Sequence, residues 1–149
     1  MFTFVVPAGG AVYVPWWILQ STGHLVQPMV WPATTLIAAG IALYLWCLWH
    51  FATTGRGTPG PWDPPRNFVA VGPYRYVRNP MYISAALVIG GEAILFASLP
   101  LGAYFVAFAL VVHAFVVLYE EPTLHHLFGD EYDAYRRSVN RWMPRPARS

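Results

Sequence analysis

Two short stretches concentrate the side chains that could do chemistry. Gly72 to Tyr82 reads Gly-Pro-Tyr-Arg-Tyr-Val-Arg-Asn-Pro-Met-Tyr, carries Arg75 and Arg78 among three tyrosines, and ends where a long apolar run begins. Glu120 and Glu121 close a second apolar run, and His113, seven residues before Glu120, shares its face on an ideal helix. Brought together, these stretches offer cations, carboxylates, aromatic faces and the free N–H groups of a helix start. That set suits a zwitterionic ligand bearing a carboxylate and an amine. The alternative for the same residues is an interfacial salt-bridge knot, and for His113 alone a satisfied core histidine. Glu92 stands apart, 12 residues past Pro80 and so about 18 Å along a helix. A carboxyl at that depth in a bilayer touches ligand, finds a structural partner or stays protonated, because charge there costs roughly a few kcal/mol.

The elements that must position these residues are apolar. Of 149 residues, 56% are hydrophobic and 11% charged, and none before Arg56 is Asp, Glu, Lys or Arg. With a mean hydropathy of +0.41 this composition predicts an all-α integral membrane protein forming a single membrane domain over 1–149. Residues 2–20 form an irregular first span broken by Pro7, Pro15 and two glycines, with a re-entrant segment as the alternative. The N-terminus lacks the basic n-region of a signal peptide, which favours a retained span. Residues 21–32 form an outer loop between Trp16, Trp17 and Trp31, and 33–53 form the cleanest span. The Gly- and Pro-rich stretch 54–71 delivers the chain to the arginine-tyrosine turn, and 54–79 as a whole is a cytosolic loop carrying that motif.

A helical hairpin over 80–119 follows, with Pro100 and Gly102 as its tight turn between helices ending near Leu99 and starting near Ala103. An antiparallel hairpin makes its two inner ends neighbours, which brings Arg75, Tyr76, Arg78, Asn79 and Tyr82 within reach of Glu120 and Glu121. Arginine clusters flank the hairpin on both sides in sequence, at Arg56 to Arg78 and Arg136 to Arg148. The positive-inside rule then gives about four transmembrane helices with both termini cytoplasmic. Residues 120–149 form a cytosolic C-terminal amphipathic segment: Leu124, Phe128, Tyr132, Tyr135, Val139 and Trp142 make an apolar stripe, and Gly129-Asp130 predicts a kink.

Several function classes are excluded. A net charge of +2 is too small for a nucleic-acid partner, and the clustered arginines read as a topology signal. One cysteine, Cys47, leaves neither a disulfide framework nor a cysteine-based zinc site, and His125-His126 lacks the further ligands of a metal pattern. No metal is expected. Phosphate-loop spacing is missing, and Ser84 and Ser98 have no base at a diagnostic spacing.

The turn at 72–82, the hairpin, Glu-Glu-Pro at 120–122, Phe-Gly-Asp-Glu-Tyr-Asp-Ala-Tyr at 128–135 and Arg-Trp-Met-Pro-Arg at 141–145 resemble the isoprenylcysteine carboxyl methyltransferase family and its phospholipid methyltransferase relatives. The resemblance covers about residues 68–145. It implies an integral membrane methyltransferase (EC 2.1.1 class) that uses S-adenosylmethionine, releases S-adenosylhomocysteine, and holds the cofactor at the cytosolic ends of the hairpin helices. Carried over, Arg78, Asn79, Pro80, Tyr82, Glu120 and Glu121 frame the cofactor, with Arg78, Glu120 and Glu121 as the catalytic candidates. Gly72, Tyr74, Arg75, Tyr76 and Val77 complete the turn's wall, and His113 extends the opposite one. Asn79 stands where eukaryotic members have histidine, so no role needing a charged imidazole survives there. The acceptor implied is lipophilic and membrane-embedded, an isoprenylcysteine-type carboxylate or a related group. The alternatives are a phospholipid, a small amine or a thiol, or else a non-catalytic membrane scaffold or lipid-binding subunit.

Overall fold

The computed structural model describes residues 5–22, 30–54 and 71–144. The loop 54–71, most of the outer loop and the last arginines lie largely outside the described residues. Five helices follow in order: α1 (Val5–Thr22), α2 (Val30–Thr54), α3 (Pro80–Leu95), α4 (Leu99–Phe115) and α5 (Glu121–Ser138). Gly72–Arg75 forms a 3-10 turn ahead of α3, and Val116–Glu120 forms a π turn joining α4 to α5. The described residues hold no strand, only a single parallel bridge between Val77 and Asn140.

Two helices are long and apolar enough to cross a membrane, Val30–His50 and the continuous helix from Leu99. Only 17% and 22% of their apolar windows are buried, so both turn most of their surface outward, unlike core helices of a soluble domain. Trp31 near one end of α2 and Trp46 and Trp49 near the other are exposed, as amphipathic rings are at the two interfaces of a membrane. α3 is apolar but has 16 residues, about 24 Å of helix.

The principal packing is α2 on α3, with α4 on the far side of α3 and α1 against α3 and α4. Small residues make the α2–α3 approach close. A Cβ on Gly40 would lie 2.7 Å from the Ser84 carbonyl oxygen, and one on Gly91 would lie 2.9 Å from that of Ala33. One buried cluster joins Ala11, Tyr82, Ala85, Ile89, Phe108, Val112 and Val116, and a smaller one joins Cys47 and Met81 beneath Tyr44 and Tyr74.

The hairpin turn differs from the sequence expectation. It lies at Phe96–Ser98, with Ala97 at φ 42°, and Pro100 and Gly102 belong to α4. Ser98 is the reason: its hydroxyl accepts from the Leu101 N–H at 3.4 Å, capping the helix, and Pro100 in the first turn needs no donor. The kink at Gly129 is present, at φ 49° and ψ −123°. The six stripe residues from Leu124 to Trp142 are all buried or half-buried.

Candidate functional site

The turn before α3 is built on glycine. Gly72 takes φ 58°, a conformation side chains avoid, and the ring of His50 on α2 fills the space where a Cβ would stand. The backbone then closes through Tyr74 N–H to Val71 O at 3.2 Å and Tyr76 N–H to Pro73 O at 3.1 Å. Tyr135 on α5 donates its hydroxyl to Tyr74 O at 2.6 Å, fixing the turn to the C-terminal helix. Arg75 and Tyr76 point outward and are exposed.

Past the turn, the C-terminal segment lies alongside. Arg78 N–H donates to Asn140 O at 2.9 Å, and Asn79, buried, donates its amide to Arg141 O at 3.2 Å. The amide thus has a positioning partner in the backbone. Pro80, also buried, opens α3.

Glu121 is the centre of an ion triad. Arg78 Nη1 donates to Oε1 at 2.8 Å, and Arg141 donates through Nε to Oε1 at 2.7 Å and through Nη2 to Oε2 at 2.9 Å. The Arg78 and Glu121 side chains are 12% and 9% exposed, so the pair is largely desolvated. Burial by itself would raise the Glu121 carboxyl, but the Arg141 hydrogen bonds and the two arginine charges hold it below its ordinary value. The salt-bridge knot, the alternative reading of these residues, is thus present at Glu121. Arg78 Nε is buried with no hydrogen-bond partner among the described residues.

Glu120 is placed differently. It is half-buried, and among the described residues it accepts only from the Tyr82 hydroxyl, at 3.1 Å to Oε2. Burial raises its carboxyl above the usual range, the Tyr82 bond opposes that shift, and the neighbouring Glu121 charge adds to it. Tyr74 belongs to the same group: burial first, then the nearness of Cys47, Glu120, Tyr135 and Tyr82, push its phenol well above its ordinary value.

His113 and Glu120 do not meet. The π turn lies between them and shifts the helical phase by one residue, roughly 100°. His113 instead accepts at Nδ1 from the Trp142 indole at 3.0 Å, which puts its ring proton on Nε2. Tyr82, Ile83, Phe108, Val112, His113 and Trp142 are among the residues that line a cavity of about 280 Å³.

Of the residues singled out by sequence, Tyr74, Arg78, Asn79, Pro80, Tyr82, Glu120 and Glu121 come together, Gly72 and Val77 shape the backbone beneath them, and His113 joins through Trp142. Sequence reasoning missed Asn140, Arg141, Trp142 and His50. The Arg141-Trp142 pair stood in the closing motif, but its arginine read only as a topology signal.

Residues 28–131 match the phospholipid methyltransferase family. The chain belongs to the phospholipid methyltransferase family. The matched stretch contains the turn, both hairpin helices and the Glu120–Glu121 pair, while Tyr135, Asn140, Arg141 and Trp142 lie beyond it. No curated protein and no solved structure is significantly similar to this family member.

Proposed function

We propose that the protein transfers a methyl group from S-adenosylmethionine to a lipophilic acceptor held in the membrane. The observation that carries this reading is the half-buried Glu120 carboxyl, held by Tyr82 and neighboured by Tyr74, next in sequence to Glu121, whose partner Arg78 keeps one buried N–H without an acceptor among the described residues. The donor set fits the cofactor's charges. A carboxylate and tyrosine faces suit its sulfonium and ammonium, and Arg78 Nε suits its carboxylate.

Bound, the cofactor supplies a methyl on an electron-poor sulfur, open to in-line attack. The chain's own residues then have separable tasks. Glu120 and Tyr82 face the cation. Glu121 and Arg141 hold Arg78 in place, and Asn79 ties the start of α3 to the backbone of Arg141, so these act by positioning. The apolar lining at Tyr82, Phe108 and Val112 keeps water from the reacting groups and favours the less charged form of an amine acceptor. The family favours a lipid acceptor, and a phospholipid amine ranks beside an isoprenylcysteine-type carboxylate.

The topology that serves this reading has four crossings, α1 to α4, with the site and both termini cytoplasmic. Arg75, Arg78, Arg136, Arg137 and Arg141 all cluster at the end of the hairpin that carries the site. Calorimetric titration of S-adenosylhomocysteine tests the assignment. Affinity should fall roughly tenfold or more in Glu120→Gln, since a charged hydrogen bond is worth about 1.5–3 kcal/mol. Unchanged affinity in both Glu120→Gln and Tyr82→Phe would remove the site from that face.

A further inference from the structure

Two cavities follow one another along the seam between α3 and α4. The first, about 280 Å³, is the one lined by Tyr82, His113 and Trp142; the second, about 470 Å³, runs past Gly90 and Phe105 to Ile94 and Gly102. Ile83 and Ala86 line both, so together they form one groove along a single face of α3. Ile94 is 12 residues beyond Tyr82, about 18 Å of helix. That length is close to the depth of one leaflet, half of a hydrocarbon core of about 30 Å.

The two ends of the groove differ in chemistry. Its walls and far end are apolar: Ile83, Ala86, Leu87, Gly90 and Ala93 are half-buried and Ile94 is exposed, so it opens sideways onto the bilayer. The near end joins the proposed site twice. Tyr82 lines it and donates to Glu120, and Trp142, which also lines it, follows Arg141, a partner of Glu121. His113 is the polar ring at that end. Its Nδ1 accepts from the Trp142 indole at 3.0 Å, which fixes the ring and leaves Nε2–H as a donor with no acceptor among the described residues.

An occupant that satisfies this groove is apolar for about 18 Å and brings a hydrogen-bond acceptor to its near end. A helix from a second copy of the chain would meet the first condition and leave the His113 donor against apolar surface, which is costly. A membrane lipid with an oxyanion in its head meets both. We propose that the α3–α4 groove seats one acyl chain of the methyl acceptor, a phospholipid of the leaflet that holds the site, and that His113, fixed by Trp142, donates to its phosphate. The amine arm of the head then extends from the phosphate toward Tyr82 and Glu120. This rests on the methyltransferase reading and specifies its substrate class and one residue that selects it.

The test uses full-length protein in maltoside micelles, whose heads carry no phosphate. Two phosphatidylethanolamine probes carry a diazirine, one at the end of an acyl chain and one beside its ester. The chain-end probe should label Ile94 or Phe105, and the ester probe Ile83 or Ala109. Excess unlabelled phosphatidylethanolamine should suppress that labelling and spare labelling of the exposed Leu110 and Val111. Phosphatidic acid should compete roughly tenfold better than the diacylglycerol of the same chains, the value of one hydrogen bond to a charged group. His113→Phe, which keeps a ring in place, should erase that difference. Gly102→Phe, at a position where an added Cβ meets nothing within 4 Å, should cut chain-end labelling and leave S-adenosylhomocysteine affinity unchanged. Equal suppression at the groove and at Leu110 and Val111, or equal competition by the two lipids in the unaltered protein, would overturn the proposal. Phosphate selectivity that survives His113→Phe would overturn it as well. Absence of S-adenosylhomocysteine binding with the label map and phosphate selectivity intact would instead contradict the methyltransferase reading and leave the lipid seat standing.

Discussion

Adjacent glutamates at one helix junction have opposite chemistry because their partners differ. Glu121 is consumed by two arginines, so its removal leaves Arg78 and Arg141 facing no anion in a desolvated corner. Glu121→Ala is expected to destabilise the protein by about 3 kcal/mol, the range for breaking a largely buried pair, read as a lowered midpoint of thermal unfolding in nanodiscs. The pH dependence follows from the signs. Glu121 is held below its ordinary value in the folded protein, so its contribution is complete above the unfolded value of about 4.3 and is lost as pH falls through the folded one. Glu121→Gln should therefore flatten the acid limb of the stability profile. Glu120 is raised, so ionising it costs stability as pH rises, and a bound cation offsets that cost. Cofactor affinity should tighten as pH rises through the Glu120 value, and Glu120→Gln should abolish the trend; a titration across that interval checks it.

At the scale of elements, the glycine turn and the π turn aim the side chains. Gly72→Ala would place a Cβ into the His50 ring at φ 58°, so it should lower both thermal midpoint and cofactor affinity, and adding His50→Ala should restore only the steric part. The existence of the helices was legible in their apolar runs, and the kink at Gly129 in the Gly-Asp step. The hairpin turn was misplaced because Pro and Gly outweighed the cap that Ser98 supplies. The π turn was illegible, since nothing in Val116 to Glu120 distinguishes it from ordinary helix; it breaks the His113–Glu120 register expected from ideal spacing. Tyr82, Glu120 and the Arg78–Glu121 proximity were legible because an antiparallel hairpin forces its ends together. Arg141 was not, because its role depends on the chain returning after α5 to pair Asn140 with Val77.

For the whole molecule, the two span-length helices turn most of their apolar surface outward, and the proposed site lies at the hairpin end where Arg78 and Arg141 meet Glu121. Ser98→Cys at the hairpin turn and Ser138→Cys at the end of α5 should react with a membrane-impermeant maleimide from opposite sides of sealed vesicles, against a low background from the buried Cys47. Labelling of both from one side would contradict the four-crossing arrangement. The most direct measurement is S-adenosylhomocysteine binding to the purified protein in nanodiscs, with Glu120→Gln and Glu121→Gln compared at matched folded fraction. Binding in the unaltered protein, lost in Glu120→Gln beyond any change in stability and weakened in Glu121→Gln only in step with destabilisation, is the predicted result. No binding to the unaltered protein, or binding indifferent to Glu120, would contradict a cofactor site at the junction of α4 and α5.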